Sequence, residues 1–453
     1  MNRSAQTRPR PPLPPGPFLV VGLARSGAAA ARMLAAAGET VLGVDSGHPP
    51  EAEGLREVGV EVSLDVDGTA LLGEVETVVK SPGVPREAPV IAAARQRGLE
   101  VAGELELAWR RLPNQFCAVT GTNGKTTTTE LLGHIHRTAG RAVAVAGNVG
   151  TPLASLVGEL DPEATVVCEC SSFQLEDTST FAPECAVFLN LAPDHLDRHG
   201  TLEEYRDAKL RIFANQGPED VAVVNGDEPE LSSGLLPGEA RRLWFCRGGT
   251  CEMTLEDGEL RWRGERLVGV EQLQLLGEHN LENAMAAAAA ALAMGIEAVA
   301  VAEGLRSFEG VPHRLERVRE RNGVLYVNDS KATNVASALA GIGAFDGGLH
   351  LILGGSLKGE GFEPLAGPVA DRCVAIYLIG AAEDQLAIDL AGAAAAGVHV
   401  ERAGTLEGAV AAASGSARSG QIVLLSPACA SFDAFADFEH RGERFRELVE
   451  ALP

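Results

Sequence analysis

The folds open to this sequence are limited above all by a recurring pair: a short, mainly apolar run, then a helix-forming stretch, with glycine near the joins. FLVVG (18–22) precedes an alanine-rich stretch over 28–37, and ETVLGVD (39–45) follows. ETVVKSPGV (76–84) repeats the strand idea, and VIAAARQRG after it reads as a helix with a glycine stop. The centres of these runs are continuously apolar, as in strands covered on both faces. Strands alternating with helices predict an α/β fold with mainly parallel sheets.

A second set opens at QFCAVTG (115–121) and continues through AVAVAG (142–147), ATVVCE (164–169), CAVFLN (185–190) and VAVVN (221–225). Residues 241–276 alternate and carry DG and GG turns, which predicts a small antiparallel patch. NLENAMAAAAAALAMG (280–295) is a strong helix former ending at glycine. A third set follows RSFEGVPHRLE, with strands at 324–329, 349–355, 373–380 and 421–427. Boundaries therefore fall near 110 and 312, dividing the chain into domains 18–110, 111–311 and 312–453. Three domains also suit 453 residues at roughly 150 per domain. Residues 1–17 are rich in Pro and Arg and lack the apolar core of a secretory signal, so a disordered tail is expected there.

Charge narrows the partners. The 38 basic and 62 acidic residues leave a net charge of −24. Such a surface repels phosphate backbones, so neither nucleic acid nor an anionic membrane is expected as a partner. No window supplies the roughly 20 apolar residues of a membrane span. The eight cysteines are scattered, mostly in apolar runs, and are expected to be small buried hydrophobes in a reducing cytoplasm. Neither a zinc site nor a disulfide framework is expected from their spacing. Only five of the 38 basic residues are lysine: 80, 125, 209, 331 and 358. Where arginine serves for generic charge, a surviving lysine marks a site needing a compact amine, unless the bias is only one of codons.

The sharpest motif is AVTGTNGKTTTTE (118–130), an apolar strand running into glycines and then a helix. It is not the complete phosphate-loop pattern, because Val119 stands where its first glycine would be. The logic survives: the glycine-containing bend presents backbone N–H groups to phosphate, Lys125 reaches the terminal phosphates, and the Thr126 hydroxyl can hold Mg²⁺. VVGLARSG (20–27) is a second strand-to-helix turn, with Ala24 in place of the middle glycine of a dinucleotide fingerprint. It suits a nucleotide or anion at a helix N-terminus, or a bare tight turn. Asp45 ends the next strand, where an acid can bind a ribose.

Other polar groups sit at strand ends. Glu169 opens ECSSFQLE, and Asp194, His195, Asp197, Arg198 and His199 cluster in NLAPDHLDRHG (190–200). A metal, a phosphate clamp or a plain polar loop would each use such residues. Asn280 and Asn283 in GEHNLENA stand three apart at a helix start, where asparagine is also a good cap. NDSKATN (328–334), GGSLKGEGF (354–362) and SPACASFDAFADFEHRG (426–442) all follow strands of the third set. They share one sheet edge, suited to an anion such as a carboxylate.

Taken in order, TGTNGKT, the acid before SSFQLE, DHLDRH, GEHNLENA, HRLE and NDSKATN resemble the Mur ligase family. The closing SPACASFDAFADFEHRG with GLARSG is similar to its D-glutamate-adding branch. The resemblance implies a Rossmann-like N-terminal domain, a central P-loop-type ATPase domain and a Rossmann-like C-terminal domain. It implies an ATP-dependent amide-bond ligase that adds D-glutamate to UDP-N-acetylmuramoyl-L-alanine through an acyl phosphate, in peptidoglycan precursor synthesis. By motif, Arg25, Ser26, Asp45, Ser46, Ser81, Pro82 and Gly83 lie near the uridine diphosphate, and Asn148 and His195 near the muramoyl-alanine end. ATP is met by Gly121, Thr122, Asn123, Gly124, Lys125, Thr126, Thr127, Asn280, Asn283, Arg314 and Asp329. Of two Mg²⁺ ions, one is implied at Thr126 and Glu169, the other at His195 and Lys209. The resemblance implies that Lys125, His195 and Lys209 carry the catalysis, with Lys209 expected as a carbamate, since a protonated amine would repel Mg²⁺. D-Glutamate is implied at Lys331, Thr333, Lys358, Ser431, Phe432 and Phe438. Domain closure and a monomer are expected.

Three weaker readings stand beside this one. A folate-polyglutamylating relative would share the ATP motifs but not the N-terminal domain. A dehydrogenase would explain VVGLARSG and leave GTNGKT idle. A nucleotide-binding scaffold would bind ATP without turnover. Lys80, beside SPG, has no chemical role in any of them.

Overall fold

The computed structural model describes residues 8–232, 236–275, 277–357 and 361–452. Three sheets account for the strands. The first joins β1 (Phe18–Val21), β2 (Val41–Asp45), β3 (Glu61–Leu64), β4 (Thr77–Lys80) and β5 (Glu100–Gly103). All run parallel, in the order β3-β2-β1-β4-β5. Strand order reverses between β1 and β4, and ligand crevices form outside the strand ends at such reversals.

The second sheet has nine strands in the order β14-β13-β12-β11-β10-β9-β6-β8-β7. They are β6 (Phe116–Thr120), β7 (Val143–Gly147), β8 (Thr165–Glu169), β9 (Cys185–Phe188), β10 (Val221–Asn225), β11 (Arg241–Cys246), β12 (Met253–Glu256), β13 (Glu259–Trp262) and β14 (Glu265–Gly269). The antiparallel patch expected over 241–276 is shorter than that. Strand β11 pairs parallel with β10, and only β12, β13 and β14 pair antiparallel. Alternation reports which faces are covered, not which way the neighbour runs. The two hairpin turns are Asp257-Gly258 and Arg263-Gly264, all four residues at positive φ. Beyond them, residues 273–275 carry no strand.

The third sheet comprises β15 (Glu316–Arg321), β16 (Val324–Asn328), β17 (Leu349–Gly354), β18 (Cys373–Ile379), β19 (His399–Gly404) and β20 (Ile422–Leu425). Its order is β15-β16-β20-β17-β18-β19, with only β15 antiparallel. Because β16, β20 and β17 are parallel neighbours, the loops after them leave from one edge.

The chain forms two compact units, 1–273 with 282–307, and 274–281 with 308–453. The first two sheets share a unit because they share a core. One apolar cluster holds Phe18, Leu34 and Leu105 together with Phe116, Phe181 and Phe188. Among the described residues no helix is long and apolar enough to cross a membrane.

Two expectations need correction. The stretch expected as a disordered tail is packed from Arg8 onward. Arg8 pairs with Asp220 at 2.6 Å, and Arg10 is capped by Glu184 at 3.0 Å and lies 4.6 Å over the Trp109 ring. Pro15 and Pro17 accept hydrogen bonds from Thr77 and Glu76. Arginine stacked on an aromatic and paired with a carboxylate anchors a proline-rich segment that cannot form regular structure. Second, Cys246 and Cys251 are disulfide-bonded across the turn between β11 and β12, so these two are not simple buried thiols. The remaining cysteines are free, and all but the partly buried Cys373 are buried.

Candidate active site

Strand β6 ends at Thr120, and the chain bends through Gly121–Gly124 into the helix Lys125–Thr138. Gly124 has φ 82°, and a Cβ there would lie 2.0 Å from Asn283 Oδ1. Only glycine serves that position. A Cβ at Gly121 would lie 2.9 Å from Leu189 Cβ. The bend is pinned by the segment leaving β9. Thr122 N donates to Asn190 O at 3.0 Å, and Asn123 N donates to Asn190 Oδ1 at 2.9 Å. Lys125 folds back over the bend, donating to Gly121 O at 3.0 Å and Thr122 O at 2.8 Å. Thr126 is half-buried at the helix start and Thr127 is buried.

Lys209 reaches the same bend from the helix Leu202–Leu210. Its side chain is buried, and Nζ donates to Gly121 O at 2.7 Å. Burial and then the Lys125 charge hold this amine well below the ordinary lysine range. Nζ also lies 4.5 Å over the Tyr205 ring, whose hydroxyl burial pushes up to about 12. Glu169, the last residue of β8, is buried and accepts from Asn148 Nδ2 at 2.9 Å. The two loops meet because Gly147 has no side chain: a Cβ there would lie 2.3 Å from Glu169 O.

His195 is exposed, at φ 52°, with Nε2 3.4 Å from Asp194 Oδ2. Its ring lies 4.9 Å from Phe173, and His199 stacks on Phe173 at 5.2 Å while Nε2 meets Ser172 Oγ at 2.9 Å. Phe173, which carries the histidine pair, and Asn190, which pins the bend, are not among the residues expected from the sequence. Both lie inside quoted motifs, but nothing in their spacing distinguishes them from filler.

A cavity of about 600 Å³ opens at the ends of β1, β2 and β4. Arg25, Ser26, Asp45, Ser46, Ser81, Pro82, Gly83 and Asn148 all line it; His195 does not. Asp45 is already engaged, accepting from Leu23 N at 2.7 Å and Gly47 N at 2.8 Å, so it braces the 22–24 turn. Ser81 Oγ donates to Gly22 O at 2.6 Å, and a Cβ at Gly27 would lie 1.8 Å from that same oxygen. Arg25 donates to Gly150 O.

Asn283 belongs to the first unit, where Thr128 Oγ1 donates to its Oδ1 at 3.3 Å; Asn280 belongs to the second. Within the second unit, Asp329 follows β16 and is buried. It accepts from Ser426 Oγ at 2.8 Å and Leu315 N at 3.2 Å, and burial pushes its carboxyl up to about 7. Arg314 is half-buried between His313 and Leu315, both at positive φ. Lys331 Nζ lies 5.8 Å from the Phe438 ring, Thr333 is half-buried and Ser431 is buried. Phe432 is 74% exposed. Lys358 lies outside the described residues. Arg441, unremarked in the sequence, is buried and holds this edge together. It donates to Ser330 O at 2.8 Å, Cys429 O at 3.1 Å and Ala430 O at 3.2 Å.

Three family models match: the Mur ligase MurD-like N-terminal domain over residues 17–103, the Mur ligase middle domain over 119–291, and the Mur ligase glutamate ligase domain over 313–429. The chain belongs to the Mur ligase family, ligases that use ATP in building peptidoglycan precursors. It is 43% identical to a UDP-N-acetylmuramoylalanine--D-glutamate ligase of Pelotomaculum thermopropionicum, over 96% of this chain and 97% of that protein. The protein of the same name from Acidobacterium capsulatum is 42% identical over 96% of each chain. In fold it is similar to the crystal structure of UDP-N-acetylmuramate-alanine ligase MurC from Thermotoga maritima. That likeness has a TM-score of 0.59 at 19% identity, over 96% of this chain and 99% of that one.

Proposed function

We propose that this chain joins D-glutamate to UDP-N-acetylmuramoyl-L-alanine at the expense of ATP. The observation that carries the chemistry is the meeting of Lys125 and Lys209 on one carbonyl at the glycine bend. A carboxylate does not react with an amine at neutral pH, because its oxygen is a poor leaving group. The substrate carboxylate attacks the γ-phosphorus of ATP, an O–P bond forms and ADP departs. The D-glutamate amine then attacks the acyl carbon, the amide forms, and phosphate leaves as the amine gives up its proton. Phosphate and carboxylate are both anions, so positive charge at the bend has to bring them together. Lys125 supplies part of it, and the backbone N–H groups of the bend supply more.

Among the described residues no three His, Cys, Asp or Glu side chains gather closely enough to hold a metal ion unaided. The donors fit Mg²⁺ only if Lys209 contributes oxygen. Its amine is buried and its pKa is pushed down, which favours the neutral form that adds CO₂ to give an anionic carbamate. Thr126 and Glu169 would then hold one ion, and His195 with the Lys209 carbamate the other. When bound, the two ions screen the charge on the transferring phosphoryl group.

The 600 Å³ cavity suits the uridine diphosphate, with Arg25 at the start of the helix Arg25–Ala36 and Asn148 toward the reacting end. Asn280, Arg314 and Asp329 are assigned to ATP by the family motifs that carry them. Lys331, Thr333, Lys358, Ser431 and Phe438 hold D-glutamate; Phe432, exposed as it is, is left out. The protein works as a monomer in the cytoplasm, where ATP is supplied. Phosphate release from ATP, with each substrate omitted in turn, tests the scheme. Release that requires both D-glutamate and the nucleotide sugar is expected. Release independent of D-glutamate, or NADH formation from NAD, overturns it.

A further inference from the structure

Lys80 takes no part in the chemistry above. It ends β4 and its side chain is fully buried. An ammonium has three N–H bonds, and three acceptors surround this one. Asp177 Oδ2 lies at 2.8 Å, Glu176 Oε1 at 3.0 Å and Val84 O at 3.3 Å. Arg95 meets the other oxygen of Asp177 at 3.3 Å, so two cations balance two carboxylates. A planar guanidinium cannot point donors in three directions from so enclosed a place, which explains a lysine here in an arginine-rich chain.

Both ends of this network lead to the proposed substrate site. Ser81, Pro82, Gly83 and Val84 form one wall of the 600 Å³ cavity, and Gln174 lines it too. Val84 O also accepts from Arg198 at 3.4 Å, and Arg198 lies 4.5 Å over the Phe173 ring. Gln174 is fixed in a capping box with Ser171, two residues beyond Glu169. The geometry points to Lys80 as a positioning residue for the nucleotide-sugar substrate. Through Glu176, Asp177 and Val84 it sets the Ser81–Val84 wall at a fixed place relative to the segment leaving β8 at Glu169. A buried, balanced pair of this kind fixes register more than it adds stability. The inference rests on the cavity being the nucleotide-sugar site.

Calorimetric binding and steady-state kinetics on the full chain test it, using UDP-N-acetylmuramoyl-L-alanine and ATP as separate titrants. Lys80→Met raises Kd and KM for the nucleotide sugar by about tenfold or more and leaves the Kd for ATP within about twofold. Lys80→Arg gives no rescue. Glu176→Gln, altering the carboxylate nearer the surface, shifts the same constants in the same direction by less, and it serves if Lys80→Met fails to fold. A folded variant with an unchanged nucleotide-sugar KM overturns the inference. So does equal weakening of both ligands, which marks a general structural role. A wild-type protein that does not bind the nucleotide sugar at all overturns the functional reading and this inference with it.

Discussion

Lys209 Nζ and Lys125 Nζ donate to one oxygen, the carbonyl of Gly121, at 2.7 and 3.0 Å. Two amines so close repel each other's charge, and burial together with the Lys125 charge weakens the hold of Lys209 on its proton. A neutral amine adds CO₂, and an ammonium does not. Lys209→Ala should therefore lose activity by at least about a hundredfold, as when a key electrostatic donor is removed. Added acetate or formate should restore part of it. Degassing should slow the wild type and bicarbonate should recover it. Full activity in Lys209→Ala refutes the carbamate.

The glycine bend admits a sharper test. In Gly124→Ala the new Cβ meets Asn283 Oδ1, and the backbone must hold φ 82° with a side chain in place. A left-handed non-glycine residue alone costs about 1–2 kcal/mol. ATP binding, followed by calorimetry, should fall by more than an order of magnitude. Binding of the uridine nucleotide should be unchanged.

Glu104 sets a pH dependence. It is buried at the start of the helix Glu104–Arg111, accepts from Ala154 N at 2.6 Å, and has no partner for Oε2. Burial pushes its carboxyl up to about 7. A raised folded-state value means stability is fully present below the unfolded value and is lost as pH rises through 7. Glu104→Gln should match the wild type in melting temperature near pH 5 and exceed it near pH 8, by about 2–3 kcal/mol in stability. A difference that does not change with pH would sink this account. Asp329, also pushed up to about 7 by burial, tilts the second unit in the same direction.

Arg10 ties the proline-rich leader to the shared core. It lies between the Trp109 and Phe116 rings and donates to Asn114 O at 2.7 Å. Arg10→Ala should lower the melting temperature of the first unit by several degrees, equivalent to about 1–3 kcal/mol. Limited proteolysis should then cut within residues 8–17. KM for ATP should stay within about twofold, since the segment is placed at the start of the strands and not at their ends.

Much of the architecture was legible in the residues. Strands such as FLVV, FCAVT and TVVCE are mostly apolar and buried at every position, as in a parallel sheet covered on both faces. The strands missed were β3, β5, β15 and β19, which carry Glu, Arg or Ser among few apolar residues. Their pairing partners, not their own sequences, make them strands. The direction of β11 was unreadable for the same reason, since backbone pairing leaves no mark on side-chain alternation.

Local chemistry is set by neighbouring residues alone: glycines where backbone must bend, lysines where an amine is needed, a carboxylate at the end of β8. Each depends on neighbours in the chain, so spacing reveals it. The fold alone decided that Lys209 shares a carbonyl with Lys125 from 84 residues away, that Lys80 answers two carboxylates, and that Arg10 stacks on Trp109. Burial and charge pairing between distant segments are properties of packing, and no residue announces its partner until the chain has closed around it.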